Sequence, residues 1–366
     1  MPSPRPARDD AGADVIDLHR ARRRPEDGAG ARDPRARCAA RLPDGRRCRN
    51  HAGPSGHCRV HAPRAAGPGG GGARAAAAAT LDSLREELAR DRDLDAALAF
   101  LRRRLTGDYD VDVFGFDREL TEQVLFPLAR PLYRSYWRVR AVGLEHVPDH
   151  GGALIVANHA GTLPFDALMT KVALFDEHPA HRHLRELAAD LALRAPVVGH
   201  LLRKTGNTLA HHDDAVRLLE AGELVGVWPE GYKGVGKPYG ERYKLQRFGR
   251  GGFVAVALRA GVPIVPVAII GSEEIYPMVG DARPLARLLG LPYFPLTPTF
   301  PWLGPLGLVP LPSRWTIEFG EAIDTAPYGP AATEDPMTVF ELTDRVRDTI
   351  QQMLYRGLMT RRSVFR

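Results

Sequence analysis

Residues 151–167, GGALIVANHAGTLPFDA, contain the pattern that decides the fold. The run Ala153–Ala157 holds no polar residue, which is typical of a strand buried on both faces. Asn158 and His159 follow directly, so we expect them in the loop at the carboxyl end of that strand. Functional residues are often placed at this end of a strand in folds built around a parallel sheet.

A helix is predicted to begin at Pro164, a residue suited to the first helical turn, and to contain Asp166. An imidazole at a strand end with a carboxylate a few residues on has the composition of a general base oriented by an acid. By itself the pair is a weak signal, because a histidine with an aspartate within eight residues is common.

Short apolar runs alternate with helical patterns from residue 138 onward. Strands are predicted at 138–142, 153–157, 224–228, 262–270 and 315–319, and helices at 164–174, 251–259 and 337–356. This alternation predicts an α/β fold with a mainly parallel central sheet flanked by helices.

A second group of motifs follows the predicted strand 224–228. The loop after it reads PEGYK, residues 229–233, and the glycines of 249–252 open a helix whose amides suit an anion. The next strand, which contains VPIVPV, carries Pro263 and Pro266. Since proline cannot donate a ladder hydrogen bond, we expect this strand at an edge of the sheet or packed as a wall against another group.

In their order along the chain, these blocks resemble the glycerolipid acyltransferase family, which includes lysophospholipid acyltransferases, over residues 138–325. The resemblance implies that a histidine and an aspartate deprotonate an acceptor hydroxyl, which attacks an acyl thioester of coenzyme A or acyl carrier protein. His159 and Asp166 correspond to that pair. The resemblance also implies a substrate-binding set, consisting of Asn158, Gly206, His212, Glu230, Gly231, Lys233, Pro263 and Pro266.

Two departures from the family pattern bear on function. Asp166 lies seven positions after His159, whereas the family has five. If the longer loop misplaces Asp166, the alternative is a non-catalytic lipid- or acyl-binding protein on the same fold. His212 and Lys233 stand where the family has arginines, which weakens an anion clamp and implies an acceptor without a phosphate monoester, such as a neutral acylglycerol.

The charge distribution separates the N-terminal region from the rest. Residues 1–79 hold 16 Lys and Arg against 8 Asp and Glu, whereas residues 80–366 hold 34 against 36. A nucleic-acid partner is therefore not expected for the main domain. The first 25 residues contain no apolar core of a secretory signal, so we expect a cytoplasmic protein.

One long uncharged segment, Leu288–Ser313, is rich in apolar residues but carries seven prolines, which exclude a membrane-spanning helix. Contact with lipid would then be peripheral, at the inner face of the cell membrane, with this segment at the acyl channel or in the headgroup layer. The alternative is a cover over the core. Tyr133, Tyr136 and Trp137 among arginines likewise suit either a helix at lipid headgroups or a helix facing the core.

All three cysteines lie between residues 38 and 58. Cys38, Cys48, Cys58 and His61 form a Cys3His set for structural zinc, with two ligands in Cys-x-x-His spacing. The window also resembles a family of small zinc-binding modules with this ligand order, although His51 or His57 is an alternative fourth ligand. The arginines around it suit docking to protein or nucleic acid, or a tether to anionic lipid.

The expected organisation has five parts: a disordered arm at 1–35, the zinc module at 36–63, a flexible linker at 64–79, N-terminal helices at 80–137 and the acyltransferase-like domain at 138–366. The helices at 80–137 are expected to face a membrane if their aromatic end contacts lipid.

The zinc assignment predicts about one zinc ion per chain after expression in metal-replete medium, because a module this short depends on its metal for folding. Elemental analysis of the purified protein measures this ratio. Metal-free protein from such a preparation would contradict the assignment.

Overall fold

The computed structural model describes residues 95–161, 163–249 and 251–365. The chain divides into two units, Met1–Arg102 and Arg103–Arg366. The described part of the first unit and the first residues of the second are helical, over 95–106. The predicted arm, zinc module and linker lie outside the described residues.

Nine strands are present among the described residues of the second unit. In chain order they are β1 (Arg140–Val142), β2 (Ala153–Ala157), β3 (Leu184–Ala188), β4 (Asn207–Leu209), β5 (Leu224–Val227), β6 (Ile264–Ile270), β7 (Gly280–Asp281), β8 (Pro295–Leu296) and β9 (Thr316–Phe319). Seven of them form one sheet in the order β1-β9-β6-β2-β5-β3-β4, and β7 pairs with β8 separately.

Every neighbouring pair in the seven-stranded sheet is parallel except β6 with β9. The predicted mainly parallel sheet flanked by helices is therefore confirmed. The sequence patterns did not indicate β3 or β4, which form the end of the sheet beyond β5.

The helices pack on both faces of this sheet. After the helical residues 95–106, the helix labelled α1 covers 118–136, and its turns Thr121–Leu125 and Leu132–Tyr136 are π-helical on either side of a segment with two prolines. The remaining helices are α2 (Phe165–Asp176), α3 (Asp190–Arg194), α4 (Val198–Lys204), α5 (His212–Glu220), α6 (Tyr232–Val235), α7 (Gly252–Ala260), α8 (Arg283–Leu288) and α9 (Pro336–Thr360).

Strand β2 lies at the centre of the sheet, between β6 and β5, and all five of its residues are buried. Leu154 and Val156 belong to one core cluster, which includes residues of α5, α7 and α9. Ile155 and its two alanine neighbours in the alternate positions belong to the other cluster, with residues of α1 and α2. The uniformly apolar sequence of β2 thus reflects burial on both faces.

The expectation that Pro263 and Pro266 mark an edge strand is wrong, because β6 lies inside the sheet between β9 and β2. Pro263 precedes the strand, and its carbonyl accepts from Leu154 N. Pro266 pairs with Val156 of β2, while the ladder with β9 starts one residue later, at Val267. The proline nitrogen therefore falls where β9 offers no ladder partner, and no hydrogen bond is lost.

The aromatic end of α1 lies in the protein core and not at a lipid surface. Tyr133 and Trp137 are almost completely buried, and Trp137 stacks on Trp315 with ring centroids 4.8 Å apart. Arg130 and Arg134 both pair with Asp176 of α2. The core-facing interpretation of this helix is therefore the one that the structure supports.

Within the described ranges, no helix has the length and apolar composition needed to cross a membrane. The uncharged segment Leu288–Ser313 begins at the end of α8 and contains the short strand β8 and one 3-10 helix, Gly304–Leu308, joined by irregular structure. It is anchored at its far end, where Tyr136 Oη and Trp137 Nε1 donate to the carbonyls of Pro310 and Leu311. Trp302 and Leu306 remain 73% and 72% exposed.

Candidate active site

His159 and Asp166 meet directly despite the longer loop between them. His159 Nδ1 lies 2.7 Å from Asp166 Oδ2. The loop turns through Gly161, whose φ of +82° is the left-handed region that favours glycine. The helix α2 begins after Pro164 and presents Asp166 in its first turn. This contact removes the geometric basis for a misplaced aspartate.

The Asp166 carboxyl group is fully buried and accepts three N–H groups. Oδ2 accepts from His159 Nδ1 and from Ala160 N at 2.9 Å, and Oδ1 accepts from Ala167 N at 2.9 Å. Because an ionised carboxylate can only accept, the Nδ1 position of the ring carries the proton. The neutral ring then has its lone pair on Nε2, which is the form that a general base requires.

Two opposing effects set the pKa of His159. Burial disfavours the charged ring, but the adjacent Asp166 carboxylate together with Glu230 and Glu186 outweighs it, and the pKa of His159 is raised. The ring stays partly accessible, with 16% of its side chain exposed. The neighbouring carboxylate therefore raises the pKa of a ring that a ligand can still reach.

Glu230 ties the histidine loop to the second motif. Its Oε1 accepts from His159 N at 2.9 Å, and its Oε2 accepts from Gln246 N at 2.7 Å. Lys237 Nζ lies 3.3 Å from Glu230 Oε2 and also 3.3 Å from Glu273 Oε1. Both carboxylate oxygens thus make hydrogen bonds or ion pairs within the protein, which joins the two loops.

Asn158 holds the same loop to β6. Its side-chain Nδ2 donates to Ile269 O at 3.0 Å, and its Oδ1 accepts from Ile269 N at 2.7 Å. These two hydrogen bonds continue the ladder between β2 and β6 beyond the end of β2, with the Asn158 side chain in place of the backbone. The fully buried Asn158 therefore fixes where the His159 ring leaves the sheet.

An apolar cavity of about 580 Å³ adjoins the ring of His159. Its walls come from α2, α4 and the carboxyl ends of β3 and β5, and Leu125, Phe165, Leu168 and Leu187 are among the lining residues. Leu163, Leu201 and Tyr232 line it as well and are exposed, which gives its mouth an apolar rim. A volume of this size accommodates a lipid chain.

Several polar side chains interrupt the apolar wall, among them Lys171 of α2, Glu186 of β3 and Trp228 after β5. Lys171 Nζ lies 3.1 Å from Glu186 Oε2, and both residues are buried. Trp228 lies beside the histidine, with ring centroids 5.9 Å apart. Its indole Nε1 is buried and has no hydrogen-bond partner within the described ranges.

No sequence motif indicated these three residues. In LRELA, residues 184–188, Glu186 is flanked by an apolar residue on one side and Arg185 on the other, so the segment shows no clear strand period. Lys171 is embedded in a helix that otherwise reads as core. The available signal was a lysine within a helix predicted to face the core, because a buried lysine needs a partner of opposite charge.

The remaining residues of the predicted substrate-binding set are spread more widely. Gly231 lines the cavity, whereas Gly206, His212, Lys233, Pro263 and Pro266 do not. His212 begins α5 and packs against Gly252, where an added Cβ would lie 2.8 Å from His212 Nε2. Lys233 is exposed on α6. Neither side chain lines the cavity.

In the part of the chain that the structure describes, no group of His, Cys, Asp and Glu residues is arranged to hold a metal ion. The predicted zinc ligands Cys38, Cys48, Cys58 and His61 lie outside those residues, so the zinc site stays a prediction.

Comparison with known proteins is consistent with this site. Residues 138–270 match the family model described as Acyltransferase. An uncharacterized protein of Mycobacterium tuberculosis is 59% identical over 291 residues, which are 79% of this chain and 81% of that protein. An uncharacterized protein of Mycobacterium leprae is 56% identical over 286 residues, 78% of this chain and 77% of that protein.

More distant similarities are found as well. A Bos taurus protein described as a DGAT1/2-independent enzyme synthesizing storage lipids is 26% identical over 212 residues, 58% of each chain. The crystal structure of the 1-acyl-sn-glycerophosphate acyltransferase PlsC from Thermotoga maritima is similar with a TM-score of 0.43 and 21% identity, covering 66% of this chain and 82% of that chain.

The sheet, the His159–Asp166 pair and the match over 138–270 define an acyltransferase domain. The chain belongs to the same family as the mycobacterial proteins, to which it is 56% to 59% identical over the aligned residues.

The geometry of Glu230 predicts a stabilising role. Substituting Glu230→Ala leaves two buried N–H groups without an acceptor and removes one partner of buried Lys237, so the free energy of unfolding should fall by about 3 kcal/mol. Chemical denaturation measures the change. Lys233→Ala, an exposed position three residues on, is the control and should change it by less than about 0.5 kcal/mol. Equal effects would show that Glu230 does not hold the loops together.

Proposed function

We propose that the protein transfers a fatty acyl group from an acyl thioester, of coenzyme A or acyl carrier protein, to the hydroxyl of a glycerolipid-type acceptor. The reaction is an O-acyl transfer with His159 as the general base. The observation that carries the proposal is the His159–Asp166 hydrogen bond of 2.7 Å beside an apolar cavity of about 580 Å³. A base and a lipid-sized cavity are what such a reaction needs in one place.

In the proposed reaction, Nε2 of His159 takes the proton of the acceptor hydroxyl as its oxygen attacks the thioester carbonyl carbon. The tetrahedral intermediate collapses, the carbon–sulfur bond breaks, and the imidazolium returns the proton to the leaving thiolate. Asp166 stabilises the imidazolium and keeps the ring oriented. We propose that the developing oxyanion is stabilised by the indole N–H of Trp228, a cavity-lining residue whose buried Nε1 has no partner among the described residues.

The side chains around the cavity favour an acceptor without a phosphate monoester. Lys171 is the cationic side chain among the lining residues, and it is already paired with Glu186. A phosphate would need further cationic or N–H donors at the site. The similarity to an enzyme described as synthesizing storage lipids supports a neutral acylglycerol as acceptor.

If His159 is the base, His159→Ala should lower the turnover of acyl transfer by about 100- to 10,000-fold while the protein stays folded. Radiolabelled acyl-coenzyme A with a monoacylglycerol acceptor provides the assay, and circular dichroism checks folding. His150→Ala, an exposed histidine before β2, is the matched control and should keep its activity. Unchanged turnover in His159→Ala would remove the base from the proposal.

The pH dependence tests the role of Asp166. The base acts in its neutral form, and its pKa is raised, so kcat/KM should fall as the pH drops through a value above 6.5. Asp166→Asn removes the charge that raises the pKa, and the acid limb should move to lower pH together with a severe loss of rate. A limb at the same pH in both proteins would contradict the assignment.

We further propose that the enzyme works at the inner face of the cell membrane as a peripheral protein. Apolar side chains rim the cavity mouth, and the uncharged segment 288–313 approaches the same region, since Tyr293 lies against Gly236 next to α6. The exposed Trp302 and Leu306 lie on this segment. An apolar surface beside the entrance would let a lipid enter without crossing water.

Replacing both Trp302 and Leu306 by glutamate should reduce sedimentation with liposomes, because the charges disfavour transfer of this surface into the headgroup layer. The matched control is Met359→Glu at another exposed apolar position, on α9, and its binding should equal that of the unaltered protein. If the double variant sediments as well as the control, the segment covers the core and contributes nothing to lipid contact.

A further inference from the structure

The ion pair in the cavity wall has a feature that the proposed reaction does not use. Glu186 is 6% exposed and lines the cavity, yet its Oε1 has no hydrogen-bond partner within the described residues. Its other oxygen, Oε2, is held by Lys171 at 3.1 Å. A buried carboxylate oxygen without a donor is costly, since it has lost water and gained nothing in return.

Lys171 also has bonding capacity left. Its Nζ donates to Thr205 O at 2.7 Å and contacts Glu186 Oε2, while an ammonium group has three protons. Like Glu186, Lys171 lines the cavity. One acceptor and one donor are therefore unused on two neighbouring residues of a mainly apolar wall.

The electrostatics agree with an incomplete site. Burial lowers the pKa of Lys171 and raises the pKa of Glu186, so each charge is poorly compensated by the other alone. A buried ion pair is stabilising when its remaining lone pairs and protons are also satisfied. The pair lacks that completion here and would gain it from a ligand group.

A hydroxyl group has the matching chemistry. It donates one proton, as Glu186 Oε1 requires, and accepts one hydrogen bond, as the third Lys171 proton requires. A carboxylate or phosphate would repel Glu186, and a plain hydrocarbon chain would leave both groups unpaired. The patch therefore selects for an alcohol among the groups that lipids carry.

We infer that Glu186 and Lys171 bind a hydroxyl group that the lipid substrate carries inside the cavity, and that they select hydroxylated lipids over unsubstituted ones. This inference rests on the proposed function for its substrates. The hydroxyl has two possible sources: a hydroxylated acyl chain, or a second hydroxyl of the acceptor next to the reacting one.

Two arms of one experiment separate the sources. The first compares palmitoyl-coenzyme A with monohydroxylated analogues whose hydroxyl lies near the thioester, at mid-chain or at the methyl end. The second compares monooleoylglycerol, which has a second hydroxyl, with oleyl alcohol, which has one. In at least one of the two arms, kcat/KM should be higher for the compound with the additional hydroxyl, by on the order of 10- to 100-fold, because the hydrogen bond involves charged partners.

The variant Lys171→Met/Glu186→Leu removes both polar groups together, which avoids leaving one unpaired charge in the core. It should abolish the preference for the hydroxylated compound. The matched control is Leu187→Met, an apolar change on the same wall with nearly conserved volume, and it should keep the preference.

The outcomes distinguish this inference from the proposed function. Preference in the thioester arm places the hydroxyl on the acyl chain, and preference in the acceptor arm places it on the glycerol unit. If the unaltered protein transfers acyl groups with equal kcat/KM for the hydroxylated and the unsubstituted compound in each arm, the inference is overturned and the proposed function stays intact.

A binding measurement covers the case in which no acyl transfer is detected, which would count against the proposed function alone. A hydroxylated palmitic acid or monooleoylglycerol should then raise the melting temperature of the unaltered protein more than its unsubstituted counterpart does. The double variant should lose this difference. Equal shifts for each pair of compounds in the unaltered protein would overturn the inference.

Discussion

The hydrogen bonding of the buried Asp166 carboxylate is the constraint on which the arrangement of the site depends. A fully buried charge must find donors, and Asp166 finds them in the His159 ring and in two backbone N–H groups. Its position at the start of α2 adds the favourable end of the helix dipole. Two of the three bonds, from His159 and Ala160, fix the loop after β2, so the orientation of the ring follows from satisfying a buried charge.

The loop after β2 shows this requirement at three consecutive residues. Asn158 pairs with the backbone of Ile269, His159 N donates to Glu230, and Ala160 N donates to Asp166. Each bond joins the loop to a different element, namely β6, the segment after β5 and α2. The loop is therefore held rigidly by side chains after its sheet hydrogen bonds have ended, which suits a site that must position one ring.

Some of this was predictable from the sequence and some was not. The uniformly apolar β2 identified the sheet centre, since such a run is buried on both faces. Strand β3 was not predicted, because Arg185 and Glu186 interrupt its apolar pattern. These two side chains are buried because they pair with residues distant in sequence, Asp112 and Lys171. Whether Asp166 reaches the histidine likewise depends on loop geometry, which spacing does not determine.

The interior position of β6 illustrates the same limit for backbone groups. Proline argues against an interior strand when its nitrogen faces a partner, but whether a partner is there depends on where the neighbouring strand ends. Pro266 is accommodated because β9 ends at Phe319 and the chain continues through Gly320, whose N–H donates to the Pro266 carbonyl. A side chain at Gly320 would lie within 3.1 Å of the proline ring and closer still to Met353. The proline is thus accommodated by a residue far along the chain, and whether proline fits an interior strand depends on such distant residues.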